Sequence, residues 1–315
     1  MTEHNLISSV SWPQPGTYLL AISGGADSMV LLDLFATSER GYRLSIAHVD
    51  HGLRSDSATD AQFVVEAAQN YELNCIVNHA QLSPHASEAA ARQARYQLLA
   101  QTARQIKAVA IITAHHQDDL LETSLLNLAR GTGRRGLAPM QGVKLEGIPV
   151  IRPLLAISRT QLRHYVRIHQ LNWHEDPTNA DTTNPRNFVR HQLLPAATAD
   201  WRQQYVAALD KVAALNQAIE TDLSFLLDPY RATDGFRWPV AVYKTFSLTE
   251  TAEVLVTAMR QMAPDHELNH RLVHELALFS QTGSPGRHRP IGSRLKLAIT
   301  NQQIILLDKN ASQIG

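Results

Sequence analysis

The sequence predicts an α/β fold, a doubly wound and mostly parallel sheet, joined to a second, mainly helical domain that ends in a β-hairpin. Three observations carry this. Apolar, β-branched runs at 18–22, 43–49, 73–77 and 108–113 alternate with helical patterns at 27–38, 57–70 and 86–106, the rhythm of parallel strands with crossover helices. The first run leads through Ser23-Gly-Gly-Ala-Asp-Ser28 into a helix, the layout of an oxyanion cradle. From about Ala196 the alternation gives way to a long helical pattern that continues to Leu227.

The first strand ends at the cradle. Gly24 and Gly25 carry no Cβ, so the backbone can turn sharply and bring its N–H groups close to a phosphate. The helix that follows, with Val30, Leu31, Leu34 and Phe35 on one face, aims the positive end of its dipole at the same spot. A Walker loop would place a lysine here to hold the terminal phosphates, yet no lysine precedes Lys107. The second strand closes on His48-Val-Asp50, and the fourth leads into Thr113-Ala-His-His-Gln-Asp-Asp119. Ligands of doubly wound sheets bind at the carboxyl ends of the strands, so Ser23, His48 to Asp50 and Thr113 to His116 are expected on one rim. Ile148 to Ile151, before Arg152-Pro153, reads as a further strand, and Ser158-Arg-Thr-Gln161 as a capping box opening the next helix.

This first domain is expected to span 1–195 and the second 196–315. The second shows helical patterns at about 247–263 and 266–280, then a glycine- and proline-rich loop from Thr282 to Gly292. Leu295 to Leu307 reads as a hairpin turning near Asn301. No internal repeat or low-complexity tract is evident.

With 315 residues, 44% apolar and 18% charged, the chain has the composition of a globular protein with two cores. Cys75 is the single cysteine, so one chain can form no disulfide, no multi-thiolate zinc site and no cysteine-held iron–sulfur cluster. The longest apolar stretches are strand-sized, and the N-terminus lacks a basic segment followed by an apolar core; a cytoplasmic protein with no membrane partner is expected. The formal net charge of zero hides a gradient. Residues 1–83 hold 3 basic and 9 acidic side chains, whereas residues 84–167 hold 12 basic and 5 acidic. Of the 29 basic residues 23 are arginine, the side chain suited to bidentate phosphate contacts and to stacking on bases.

Four stretches carry candidate chemistry. His48 and Val49, at the end of the second strand, can present backbone to a base. Arg92 and Arg95 stand one helical turn apart on the 86–106 helix and suit a polyphosphate or a nucleic-acid backbone, although a salt bridge from Glu88 to Arg92 would also account for the first. Asp118, Asp119 and Glu122 fall in the first turns of a helix, where the dipole alone stabilises acidic groups; His115, His116 and the adjacent carboxylates Asp118 and Asp119 could equally hold Mg²⁺ against phosphate oxygens. Gly131-Thr-Gly-Arg-Arg-Gly-Leu137, with Arg134 and Arg135, is a glycine-rich basic loop able to close on RNA.

The pattern S-G-G-x-D-S resembles the PP-loop of the Rossmann-like ATP pyrophosphatases. In order with His48-Val-Asp-His-Gly-Leu-Arg54, Ala91-Arg92, Arg95-Tyr96, Ala114-His-His-Gln-Asp-Asp119, Glu122-Thr123, the Gly131 loop, Asp176-Pro-Thr-Asn179, Arg186-Asn187 and Arg190, it closely resembles the tRNA(Ile)-lysidine synthetases. The resemblance runs from Ser23 to about Pro195, and the remainder is similar to the short form of that family, with one added domain.

The resemblance implies a ligase that adenylates the carbon-2 oxygen of the wobble cytidine in a tRNA(Ile) with a CAU anticodon. Free L-lysine then displaces AMP to give lysidine. By the same resemblance Ser23, Gly24, Gly25, Ala26, Asp27, Ser28, His48 and Val49 would bind ATP. Asp27 with Asp118 or Asp119 would position Mg²⁺, and Arg92 would add positive charge. His115 or a nearby carboxylate would take the proton of the attacking lysine. Arg95, Arg134, Arg135, Asp176, Asn179, Arg186 and Arg190 would contact the RNA or lysine, Asp176 and Asn179 alternatively capping a turn. The C-terminal domain would touch tRNA, and a homodimer is allowed. The rival readings are a PP-loop tRNA thiolase, disfavoured by the single cysteine, and a nucleotide-binding module without catalysis, disfavoured by the acidic pair beside the basic block.

Overall fold

A computed structural model describes residues 3–50, 57–81, 87–140, 142–174, 184–263 and 268–309. Two compact units divide it, residues 1–131 with 136–209, and residues 132–135 with 210–315, and the division falls inside a long helix.

The first unit begins with α1 (Glu3–Ser8) and then alternates: β1 (Thr17–Ala21), α2 (Ala26–Ala36), β2 (Arg43–Asp50), α3 (Ser57–Asn70), β3 (Asn74–His79), α4 (Glu88–Gln105), β4 (Ala110–Thr113) and α5 (Gln117–Ala129). After α6 (Arg134–Leu137) come β5 (Lys144–Leu145), β6 (Ile148–Ile151), α7 (Arg159–Ile168), α8 (Pro185–Phe188), a π-helical turn at Val189–Leu193, α9 (Leu194–Ala196) and α10 (Ala199–Leu227). The sheet order is β3-β2-β1-β4-β6-β5, parallel except for β5 against β6. Every expected strand and crossover helix of this half is present within a few residues.

Both faces are covered, which is why the strands read as unbroken apolar runs rather than alternating ones. Leu20, Ile46 and Ile112 pack with Val30, Leu31, Val64, Leu162 and Val166 on one face, while Leu19, Ala47 and Ile111 pack with Leu99, Ala100 and Ala103 of α4 on the other. The chain therefore changes faces between β3 and β4, and the crevice between β1 and β4 is the topological switch point. α2 is more enclosed than a one-faced helix: Ala26 and every residue from Ser28 to Phe35 are buried. Its buried Asp33 is satisfied by the Tyr71 and Tyr165 hydroxyls, each donating at 2.6 Å.

The second unit continues with β7 (Arg231–Ala232), β8 (Gly235–Pro239), α11 (Val240–Tyr243), α12 (Leu248–Met262), α13 (His270–Thr282), β9 (His288–Ile291), β10 (Leu295–Ile299) and β11 (Gln303–Asp308). The expected hairpin, β10 with β11, turns at 300–302 and is the centre of a five-stranded antiparallel sheet, β7-β8-β11-β10-β9. Its apolar face, Phe236, Trp238, Leu297, Ile304 and Leu306, buries against Leu255, Met259 and Leu276 of the two helices. Gly235 is required where β8 meets β11, since a Cβ there would lie 1.9 Å from the Leu306 carbonyl oxygen. Ser247 and Glu250 cap α12 reciprocally, at 3.3 and 2.7 Å.

Candidate active site

The loop after β1 is built to leave N–H groups open. Gly24 adopts φ +89°, a conformation that costs a side-chain-bearing residue strain, and an added Cβ would press on Val64 at 3.3 Å. Gly25 occupies the N-cap of α2 and offers no side chain to cap it, so the helix dipole and its first N–H groups face the crevice uncovered. The serines brace this turn: Ser23 Oγ donates to Ser28 Oγ at 3.2 Å, and Ser28 Oγ donates to the Gly25 carbonyl at 2.8 Å. His48 is buried behind the loop with Nδ1 3.0 Å from the Ile22 carbonyl oxygen, and Val49 follows it on β2. The Gly24 carbonyl accepts from the His174 N–H at 3.0 Å, and the His174 ring stacks on Phe63.

Across the switch point, the β4–α5 turn brings His116 to this loop. His116 is 3% exposed; its Nε2 lies 3.4 Å from Asp27 Oδ2 and 3.5 Å from Asp119 Oδ2, and its Nδ1 3.9 Å from Asp118 Oδ2. Burial disfavours the imidazolium, but the hydrogen bond that His116 donates to Asp27 and three carboxylate charges outweigh it and hold the His116 pKa above its ordinary value. Asp27 is correspondingly held low: burial pushes it up, and the His116 contact together with Arg159 and Arg163 more than offsets that. Its second oxygen, Oδ1, is buried and has no hydrogen-bond partner.

The other acidic groups are engaged. Asp118 accepts from Arg202 Nη1 at 2.9 Å and from the Arg159 N–H at 2.8 Å. Asp119 accepts from the His116 N–H at 3.1 Å and lies 3.3 and 3.4 Å from Arg186 and Arg190. Glu122, fully buried, pairs with Arg186 Nε at 2.9 Å and Arg190 Nε at 2.6 Å. Arg190 projects from the π-helical turn, an irregularity frequent at functional sites. His115 sits 2.8 Å from Thr113 Oγ1. Burial, with Arg152, Arg95 and Arg186 nearby, overrides the Asp119 charge and pushes its pKa down to about 3, leaving a neutral imidazole.

The crevice thus brings together Ser23 to Ser28, His116, Asp118 and Asp119, with His48 beneath. Among the described residues no three metal-type side chains assemble into a cation cage; the single orphaned carboxylate oxygen of Asp27 is the atom that fits Mg²⁺, an ion often held by one or two carboxylates together with phosphate oxygens. Arg92 and Arg95 lie on α4 with guanidinium carbons 4.7 and 5.4 Å from the Tyr96 ring centre. Arg134 and Arg135 belong to the second unit, where Glu220 and Glu253 take up both guanidinium groups at 2.5–2.9 Å. Asp176, Asn179 and the segment His51 to Arg54 lie outside the described residues. The sequence reading set His115 and His116 beside the acidic pair as possible Mg²⁺ partners but did not foresee the pairing of His116 with Asp27 or of Asp118 with Arg202. It also passed over Arg152, whose place just after a strand of the sheet was the available signal.

Residues 3–197 match the PP-loop domain family. The chain belongs to that family. It is 37% identical over 201 residues to the tRNA(Ile)-lysidine synthase of Thermosipho africanus, covering 61% of this chain and 45% of the relative. To the enzyme of that name from Actinobacillus succinogenes it is 35% identical over 249 residues, covering 76% of this chain and 56% of the relative. The chain spans about half the length of these curated relatives. Among solved structures, the U34-tRNA thiolase NcsA from Methanococcus maripaludis superposes with a TM-score of 0.51 at 13% identity, covering 66% of this chain and 77% of that one, a likeness of fold. Among the described residues no helix is long and apolar enough to cross a membrane.

Proposed function

We propose that this PP-loop protein is a tRNA(Ile)-lysidine synthetase. It would use ATP to adenylate the carbon-2 oxygen of the wobble cytidine in a tRNA(Ile) with a CAU anticodon, then join free L-lysine there with loss of AMP. The observation that carries the reading is the uncapped α2 N-terminus with the orphaned Asp27 oxygen beside it at the switch point of the sheet, in a chain 31–42% identical to lysidine synthases over 190–249 residues.

Ser23, Gly24, Gly25 and Ser28 cradle the phosphates, and the helix dipole stabilises charge as pyrophosphate departs. Mg²⁺ held by Asp27 and phosphate oxygens would neutralise charge on the leaving group. His116, held between Asp27, Asp118 and Asp119, fixes the Asp27 carboxylate in place. Arg186 and Arg190 hold α5 in register through Glu122 and Asp119. Lysine must lose its ε-proton before attack, its reference pKa being about 10.4. His115 is a weak acceptor first because it is buried and then because Arg152 and Arg95 lie near, and anionic substrates bound beside it would cancel the part due to those charges.

The test is transfer of labelled lysine to an unmodified tRNA(Ile) transcript by the 315-residue chain. Incorporation that needs ATP and the CAU anticodon is expected. Sulfur incorporation from a persulfide donor with no lysine transfer would instead favour a thiolase.

A further inference from the structure

Strand β6 pairs in parallel with β4, Ile112 opposite Ile151, so Arg152, the next residue, stands level with Thr113 on the carboxyl rim. Its Nη1 donates to the Met140 carbonyl at 2.5 Å, and its Nε is buried with no hydrogen-bond partner. Met140 adopts φ +72°, an unfavourable conformation for a side-chain-bearing residue. No described carboxylate pairs with Arg152, in contrast to Arg186, Arg190 and Arg202 of the same unit. A guanidinium taken out of water without a countercharge is unfavourable, and no described side chain supplies one here, so the arrangement suits an anionic partner.

Two more arginines share the place. Arg92 is close enough that its charge opposes that of Arg152, and Tyr96, over which Arg92 and Arg95 lie, is the other group acting on Arg152. Neither Arg92 nor Arg95 has a carboxylate partner among the described residues. Arg95 and Arg152 are both among the positive charges that act on His115. The phosphate cradle lies on the opposite, β1 side of β4, with Asp27, Asp118 and Asp119 gathered around His116 there. A triphosphate seated at α2 therefore leaves this basic pocket to the acceptor substrate.

We propose that Arg152, with Arg92 and Arg95, binds the RNA phosphodiester next to the nucleotide being modified, with Tyr96 as a stacking surface for a splayed base. Guanidinium groups beside an aromatic ring suit single-stranded RNA, whose phosphates need charge and whose unstacked bases need a π-face. This subsite rests on the reading of the chain as an RNA-modifying enzyme and names how that enzyme grips its substrate.

The experiment uses the full chain with Arg152→Gln, Arg152→Lys and the more exposed Arg92→Gln, each checked for a native circular dichroism spectrum. Filter binding of an anticodon stem-loop across a salt series is measured beside the KM values for ATP and lysine. Arg152→Gln and Arg92→Gln are expected to weaken stem-loop binding about tenfold and to lower the log–log salt slope by about 0.7 each, the value for one single-strand phosphate contact. Arg152→Lys should restore most of the slope, and KM for ATP in the two Arg152 variants should stay within about twofold. Should Arg152→Gln fail to fold, the Arg92→Gln slope and the Arg152→Lys affinity decide. Unchanged stem-loop binding in folded variants, or a rise confined to KM for ATP or for lysine, would overturn the proposal. A wild-type chain that binds the stem-loop with the full slope yet transfers no lysine would refute the lysidine reading and leave the subsite standing.

Discussion

Asp27 is the residue on which the proposed chemistry turns, because one of its oxygens is held against His116 and the other is buried without a partner. Asp27→Asn keeps the shape and removes the charge; pyrophosphate release is expected to fall by about 100-fold or more while RNA affinity changes little. Near-normal release in the variant would remove Asp27 from the site. Glu122 illustrates a different role: fully buried, it neutralises Arg186 and Arg190 together with Asp119. Glu122→Gln leaves those guanidinium groups short of a countercharge. A loss of about 3 kcal/mol in urea unfolding is expected, the low end for breaking a buried pair because Arg186 is partly exposed. The sequence placed these acids at the start of a helix but could not reveal their partners. Arg202 is 84 residues from Asp118, and Arg190 is 68 residues from Glu122.

At the scale of elements, the loop from β1 to α2 works because its glycine can occupy φ +89° and its helix start is uncapped. Gly24→Ala forces a Cβ toward Val64 and is expected to cost about 1–2 kcal/mol of stability. Because the strain falls on the cradle, ATP affinity should drop more than tenfold, measured by calorimetry; unaltered affinity would show that the turn tolerates a side chain. This loop, β1 to β4 and the β10–β11 hairpin were legible because each is announced by local periodicity and by turn residues. Strands β7, β8 and β9 were not. β7 has two residues, β8 begins with Gly235 and ends with Pro239, and β9 is His-Arg-Pro-Ile within a glycine- and proline-rich stretch. Their strand character comes from pairing along β11 and β10, which no local pattern encodes.

At the scale of the whole molecule, the basic block read from the sequence resolves into two populations of arginine. Arg134 and Arg135 are neutralised by Glu220 and Glu253, whereas Arg92, Arg95 and Arg152 have no carboxylate partner among the described residues. Composition alone made these groups equivalent; the difference comes from carboxylates 85 to 119 residues away along the chain. The consequence for pH follows from Glu220. Partial burial raises its pKa, but hydrogen bonds and charge from Arg135 and Arg134 outweigh that and hold it below the ordinary value. Its contribution to stability is therefore present above the unfolded-state pKa, about 4.3, and is lost as pH falls through the lower folded value. Arg134→Gln with Arg135→Gln is expected to lower the melting temperature at pH 7 and to flatten its decline below about pH 5. An unchanged acid limb would show that these ion pairs do not stabilise the unit.

The most direct test of the central claim is the substrate dependence of AMP formation by this chain. The account predicts one AMP and one pyrophosphate per lysine transferred, with AMP formed only when unmodified tRNA(Ile), lysine and ATP are all present and pyrophosphate released without lysine only up to one per adenylated tRNA. AMP released at the same rate without tRNA or without lysine would contradict it.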